Sequence, residues 1–123
     1  MNILLVDDEQ ISNFINKKLI EHIDASIHII AFNDAEEAFC RLPCIQPDLI
    51  FLDINMPVMS GWDFLNKMAA EAVDFKVVIL TSSVNTIDRK TAAKYKNVIG
   101  YVEKPATPSS LAPYIAKELS AVV

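Results

Sequence analysis

The chain has 123 residues, 52% of them hydrophobic, a formal charge of −5, and two cysteines. That length suits one domain with a substantial core and is short for two, and so apolar a composition excludes disorder. An acidic balance without grouped Lys and Arg argues against direct nucleic-acid binding and fits a divalent cation or a basic protein surface better.

Before Asp7 the amino terminus offers only the run Ile3 to Val6, too short for a secretory leader or a membrane span. A cytoplasmic protein with no membrane partner is expected. Cys40 and Cys44 lie four apart across Pro43, and no further Cys or nearby His completes a zinc set, so reduced thiols are expected.

Short apolar runs alternate with amphipathic stretches along the whole chain. Ile3 to Val6 reads as a first strand. Ile11, Phe14, Ile15 and Leu19 follow at helical offsets and predict a first helix with that stripe facing the core. Ser26 to Phe32 reads as a second strand, and His28 within it suits a sheet edge. Asp34 can cap a helix carrying Ala35, Ala38, Phe39 and Leu42, with Pro43 near its end.

Leu49 to Leu52 predicts the third strand, and Phe64, Leu65, Met68, Ala69 and Ala72 predict one face of the next helix. Lys76 to Leu80 reads as the fourth strand. Asn85 or Thr86 then caps a more polar helix through about Tyr95, with Ile87 and Thr91 inward. Val98 to Val102 forms the fifth strand, and Leu111, Tyr114, Ile115 and Leu119 point inward from the last helix. Capping by Thr107 would set Pro113 beyond the first turn at a cost of about 3 kcal/mol. A start at Ser109 or Ser110 is therefore expected, with Pro113 in the first turn.

Five strands in strict alternation with five helices specify an α/β, doubly wound (βα)5 flavodoxin-like open parallel sheet over residues 1–123. Its expected strand order is 2-1-3-4-5, with the ligand crevice at the carboxyl edge between strands 1 and 3. The run from Pro47 to Gly61 takes on weight in that frame. Four large apolar residues lead into Asp53, and the segment after it is punctuated by Asn55, Pro57 and Gly61. Alone, Asp53 ends a strand or starts a turn as readily as it forms a site.

Other polar groups end other strands: Asp7 and Asp8 the first, Thr81 the fourth, Lys104 the fifth. Each has an ordinary reading, as helix cap, turn residue or solvated cation. Gathered at one edge, the carboxylates would repel by about 4 kcal/mol per pair at ~4 Å and an effective dielectric of ~20. Mg²⁺ would offset that with carboxylate, carbonyl, water and phosphate oxygens around it. With Lys104 and the Thr81 hydroxyl, the set suits a phosphoryl group on an Asp53 nucleophile.

Asp7-Asp8, Asp53-x-Asn55-Met56-Pro57-x-x-x-Gly61, Thr81-Ser82 and Gly100-Tyr101-x-x-Lys104-Pro105 stand in that order after the expected strands. Along its whole length the chain resembles a receiver domain of two-component response regulators, of the stand-alone chemotaxis-regulator type. The resemblance implies that Asp53 accepts a phosphoryl group from a sensor histidine kinase or a histidine phosphotransfer protein. It implies that Asp8, Asp53 and the Asn55 carbonyl bind Mg²⁺ (or Mn²⁺), with Asp7 acting through water. Lys104, joined to Pro105 by a cis bond, would contact the phosphoryl oxygens. Thr81 and Tyr101 would switch, coupling Asp53 to a downstream protein on the helix 4, strand 5 and helix 5 face. Asn55 and Ser83 match positions that tune phosphoryl lifetime.

The chain departs from the pattern where Lys96-Asn97 lacks a glycine, so that Asn97 is expected in the left-handed conformation. Ala106 and Pro113 are also unusual. The resemblance implies a switch that is not an enzyme beyond its own phosphorylation and dephosphorylation. An aspartyl-nucleophile phosphohydrolase would want an acid where Asn55 stands and an insert for substrate. A flavin or nucleotide module would want a glycine- or hydroxyl-rich loop after the first strand, which here is acidic. A degenerate, binding-only receiver would not need the intact acids, Thr81 and Lys104. Direct action, carriage in a phosphorelay, and membership of a longer chain all stay open.

Overall fold

The computed structural model describes residues 1–122. Its elements in chain order are β1 (Asn2–Val6), α1 (Gln10–Ile23), β2 (His28–Phe32), α2 (Ala35–Ile45), β3 (Leu49–Leu52), α3 (Gly61–Ala70), β4 (Val77–Thr81), α4 (Thr86–Ala92), β5 (Val98–Glu103) and α5 (Pro108–Val122). All five strands are parallel, in the order β2-β1-β3-β4-β5. The expected doubly wound architecture is the one observed, with exposed His28 on an edge strand.

Two apolar layers sandwich the sheet, which is why the central strands carry unbroken apolar runs. Leu4, Val6, Ile50, Leu52, Val77 and Ile79 face Phe39 and Leu42 of α2 and Phe64 and Leu65 of α3. Ile3, Leu5, Leu49, Phe51, Val78 and Leu80 face Ile20 of α1 and Leu111 and Ile115 of α5. Strand alternation then dictates where the next side chains go. Val6 and Leu52 are paired in register and face α2 and α3. Asp7 and Asp53, one residue further on, therefore turn together toward α1 and α5.

Helix α1 is rotated from its expected setting. Ile11, Phe14 and Ile15 are 74%, 62% and 51% exposed, Leu19 is half-buried, and the buried line is Asn13, Asn16 and Ile20. Hydrogen bonding overrides the apolar stripe here. Asn13 Nδ2 donates to the Asp7 carbonyl at 3.0 Å, the Phe32 carbonyl at 3.1 Å and Asn33 Oδ1 at 2.7 Å. Those bonds clamp α1 to the ends of β1 and β2.

Other departures are local. Ala69 and Ala72 are exposed, because α3 stops at Ala70 and Ala72 turns to φ 55°. Helix α4 ends at Ala92 instead of about Tyr95, and Ala92 replaces Ile87 as its buried residue. Ile87 is 68% exposed, its N–H held by the Asn85 cap and its carbonyl by the Thr91 hydroxyl, while Thr91 itself is half-buried. Asn97 is not among the described residues with positive φ. Its side chain instead ties the loop down by donating to the Phe75 carbonyl at 3.1 Å.

The last helix starts earlier than expected. Thr107 and Ser110 bond reciprocally: the Ser110 N–H donates to Thr107 Oγ1 at 3.2 Å and the Thr107 N–H to Ser110 Oγ at 2.9 Å. Pro108 takes the first helical position, where a missing N–H is harmless. Pro113 then lies inside the helix, on its exposed side, where water can solvate the carbonyl it leaves unpaired. Pro113→Ala is accordingly expected to stabilise the fold by about 1–3 kcal/mol. Urea denaturation checks this, and a lower midpoint in the variant contradicts it.

Candidate functional site

The carboxyl edge of β1 and β3 gathers the acids. Oxygens of Asp7, Asp8 and Asp53 all lie within 4.8 Å of one another, with Asp7 and Asp53 buried and Asp8 exposed. The backbone sets this closeness: the Asp53 N–H donates to the Val6 carbonyl at 3.0 Å and the Asp7 N–H to the Phe32 carbonyl at 3.1 Å, prolonging the sheet by one rung. Asp7 Oδ1 accepts from the Glu9 N–H at 2.9 Å, and Asp53 Oδ1 from the Asn55 N–H at 3.0 Å.

Lys104 reaches in from the end of β5. Its ammonium bonds Asp7 Oδ2 and lies 3.3 Å from Asp53 Oδ2, and its bond to Pro105 is cis. Burial pulls this ammonium toward lower pKa, but the bond to Asp7 and the charges of Asp53 and Asp7 outweigh it and hold the group above its ordinary 10.5. Lys104 is thus a fixed positive charge at neutral pH. Three acids against one cation still leave the cluster negative, open to solvent on the Asp8 side.

Thr81, fully buried at the end of β4, accepts from Asn55 Nδ2 at 3.3 Å and from the Ser83 N–H at 3.3 Å. Asn55 is itself exposed at the mouth, and Ser83 Oγ donates to Asp88 at 2.6 Å. Tyr101 stands apart from the acids. Its hydroxyl donates to the Ser83 carbonyl at 3.2 Å, and Arg89 lies over its ring at 4.5 Å while pairing with Glu103. A skipped register between Val77 and Val78, with Val78 opposite Gly100, sets Tyr101 on β5.

Gly61 is dictated by close approach. A Cβ there would lie 2.5 Å from the Asp53 carbonyl oxygen and 2.6 Å from Ile54 Cα, and the Gly61 N–H donates to the Ile54 carbonyl at 3.2 Å. Ser60 caps α3 reciprocally with Asp63, so the segment beside Asp53 is anchored on both sides of the glycine. Gly61→Ala is expected to lose about 1–3 kcal/mol through backbone displacement. A denaturation midpoint equal to that of the parent protein contradicts this.

The model of the response regulator receiver domain matches residues 3–116. The chain belongs to the response regulator receiver family. Relatives include the nitrate/nitrite response regulator protein homolog of Haemophilus influenzae, 31% identical over 95% of this chain, and the two-component response regulator PhoP of Pseudomonas aeruginosa, 31% identical over 85%. The receiver spans only 56% and 45% of those proteins' lengths. A two-component response regulator from Cytophaga hutchinsonii superposes with a TM-score of 0.85 at 28% identity, covering 97% of this chain and 96% of that one. Phosphorylation-dependent signalling is what the family does, and this receiver carries no helix among its described residues long and apolar enough to cross a membrane.

The receiver thus brings Asp7, Asp8, Asp53, Asn55, Thr81 and Lys104 to one edge and links Ser83 and Tyr101 to it through Thr81. Sequence reasoning overlooked Asn13, whose amide clamps the loop bearing Asp7 and Asp8. The available signal was an asparagine pair at helical spacing, Asn13 and Asn16, opposite the apolar stripe.

Proposed function

We propose that this receiver accepts a phosphoryl group on Asp53 from a phosphohistidine of a sensor kinase or phosphotransfer protein and passes the change to a partner through α4, β5 and α5. The supporting observation is the Asp7, Asp8 and Asp53 cluster with a single ammonium bonded across it. Those oxygens are hard donors, close together and underneutralised, and fit Mg²⁺ better than a softer metal. Asp8, Asp53 and the Asn55 carbonyl would hold the ion, with Asp7 bonding one of its waters. Bound there, the cation supplies charge neutralisation for the phosphoryl oxygens.

The residues divide the remaining work. An Asp53 carboxylate oxygen attacks phosphorus as the donor's P–N bond breaks, and the electron pair leaves on the imidazole nitrogen. The attacking group is a carboxylate oxygen and not a hydroxyl, so the step as written has no proton for a general base to remove. Lys104 gives up its contact with Asp53 to bind a phosphoryl oxygen, and the Thr81 hydroxyl donates to another. Turning toward that oxygen carries the Thr81 hydroxyl away from the Ser83 N–H and Asn55 Nδ2. The loop between β4 and α4 then shifts, breaking the bond between the Ser83 carbonyl and the Tyr101 hydroxyl. Tyr101 turns inward, and Val84 and Ile87, exposed by 77% and 68%, are repositioned for the partner.

The donor approaches beside Lys104. A groove of about 370 Å³ there runs from Ile11 and Ile15 of α1 to Pro105 and Ala106. Exposed apolar side chains bordering a charged reaction centre suit a protein donor, whose contacts hold the phosphohistidine in place.

Beryllofluoride with Mg²⁺ tests the reading. Amide resonances of Thr81, Ser83 and Tyr101 are expected to shift together in the parent protein and stay put in Asp53→Asn. Equal responses in the two proteins overturn it.

A further inference from the structure

Beside the acids lies a small chamber, lined by four polar and four apolar residues, that phosphoryl transfer does not use. It measures about 10 Å³ and is bounded by Asp7 and Asp53 above, Asn13 and Asn16 of α1 on one side, and Leu5, Phe51 and Leu80 of the sheet below. That is the lower limit of the room one water molecule needs, about 10–15 Å³. Asn13 and Asn16 are only 4% and 5% exposed, at positions where apolar residues would satisfy a sheet of this kind. Buried amides cost free energy unless they are bonded.

The hydrogen bonds of Asn13 fix the orientation of its amide. Its Nδ2 sits among three acceptors, which settles which end of the amide is nitrogen. Oδ1 is the end left over, buried and without a partner among the described residues. Each carboxylate oxygen above has spare capacity. Asp7 and Asp53 each accept one backbone N–H on Oδ1 and face Lys104 through Oδ2, and each oxygen has two lone pairs.

We propose that Asn13 and Asn16 hold one ordered water against the Asp7 and Asp53 carboxylates, and that through it they position Asp53 for phosphoryl transfer. The water donates one hydrogen to Asn13 Oδ1 and the other to a carboxylate oxygen, and accepts from Asn16 Nδ2. Three polar partners are the usual number for a buried water. It braces the carboxylates from below while Lys104 exchanges partners above. The inverted setting of α1 then has a purpose: its polar line serves the site and its apolar line is left for the donor. The positioning role rests on the proposed phosphorylation of Asp53; the water site does not.

The experiment uses the full chain and two substitutions. Asn16→Leu fills the chamber with methyl groups, whereas Asn16→Ser keeps a hydroxyl and leaves room. Water-to-amide rotating-frame cross-peaks are expected between a long-lived water and the Asn13 and Asn16 side-chain amides of the parent protein, and the Asn13 cross-peak is expected to be lost in Asn16→Leu. With acetyl phosphate and saturating Mg²⁺, Asn16→Leu is expected to be phosphorylated about tenfold more slowly and Asn16→Ser to keep most of the rate. An asparagine that serves packing alone predicts phosphorylation of Asn16→Leu at the parent rate, whatever the shift in its urea midpoint. Absence of the cross-peaks in the parent overturns the water site, and full-rate phosphorylation of Asn16→Leu overturns the positioning role. A parent protein that is not phosphorylated at all defeats the proposed phosphorylation of Asp53 and the positioning role with it, while the cross-peaks still decide the water site.

Discussion

Asp53→Asn is expected to abolish phosphorylation by acetyl phosphate and, without divalent cation, to make the protein more stable. The first effect removes the nucleophile. The second comes from charge: Asp7, Asp8 and Asp53 share one small volume with Lys104 as the cation bonded to it. Removing one of the three negative charges relieves repulsion that reaches about 4 kcal/mol per pair at an effective dielectric of ~20. Lys104 loses part of its pairing in exchange, so a net gain of about 1–2 kcal/mol is expected. The amide keeps an oxygen for the Asn55 N–H, and the surrounding backbone need not move. Phosphate-affinity electrophoresis and urea denaturation in chelator read the two effects. A destabilised Asp53→Asn protein contradicts the account of the cluster.

Lys104→Met carries the opposite sign. It preserves most of the aliphatic stem and deletes the ammonium, leaving the buried carboxylates of Asp7 and Asp53 without their cation. Breaking a buried pair in this way costs about 3–5 kcal/mol. Added Mg²⁺ is expected to restore much of that stability, because a cation among the oxygens relieves the same repulsion. Phosphorylation does not recover with it. Loss of a fixed charge at the phosphoryl oxygens is expected to slow the reaction by about 10²-fold even at saturating Mg²⁺. Denaturation with and without Mg²⁺, set beside initial rates, separates the two roles. A variant as stable as the parent in chelator, or phosphorylated as fast, contradicts the assignment.

The sheet was legible in the sequence because its signal is redundant. Apolar runs such as Leu49 to Leu52 admit one reading when helices alternate with them, and of the two common orders of such sheets the five-stranded one is 2-1-3-4-5. The cluster was legible for the same reason, since topology brings strand ends together whatever the loops do. Helix faces were not legible to the same degree. The stripe of Ile11, Phe14 and Ile15 is a correct helical pattern whose buried side was misassigned, because a clamp through Asn13 Nδ2 to three acceptors outweighs apolar periodicity. Ile87 failed for a related reason: a seven-residue helix capped by Asn85 buries Ala92 and little else. The early start of α5 shows local capping by Thr107 and Ser110 prevailing over the cost of Pro113. In each case a few hydrogen bonds decided what a pattern of hydrophobicity left open.

The central claim is that Asp53 carries the phosphoryl group. Phosphorylating the protein with acetyl phosphate and Mg²⁺, reducing the acyl phosphate with borohydride, and sequencing the peptides by mass spectrometry tests it at the level of one residue. The expected result is homoserine in place of aspartate at position 53 and nowhere else. Homoserine at Asp7 or Asp8 with position 53 unmodified, or no reducible acyl phosphate at all, contradicts the account.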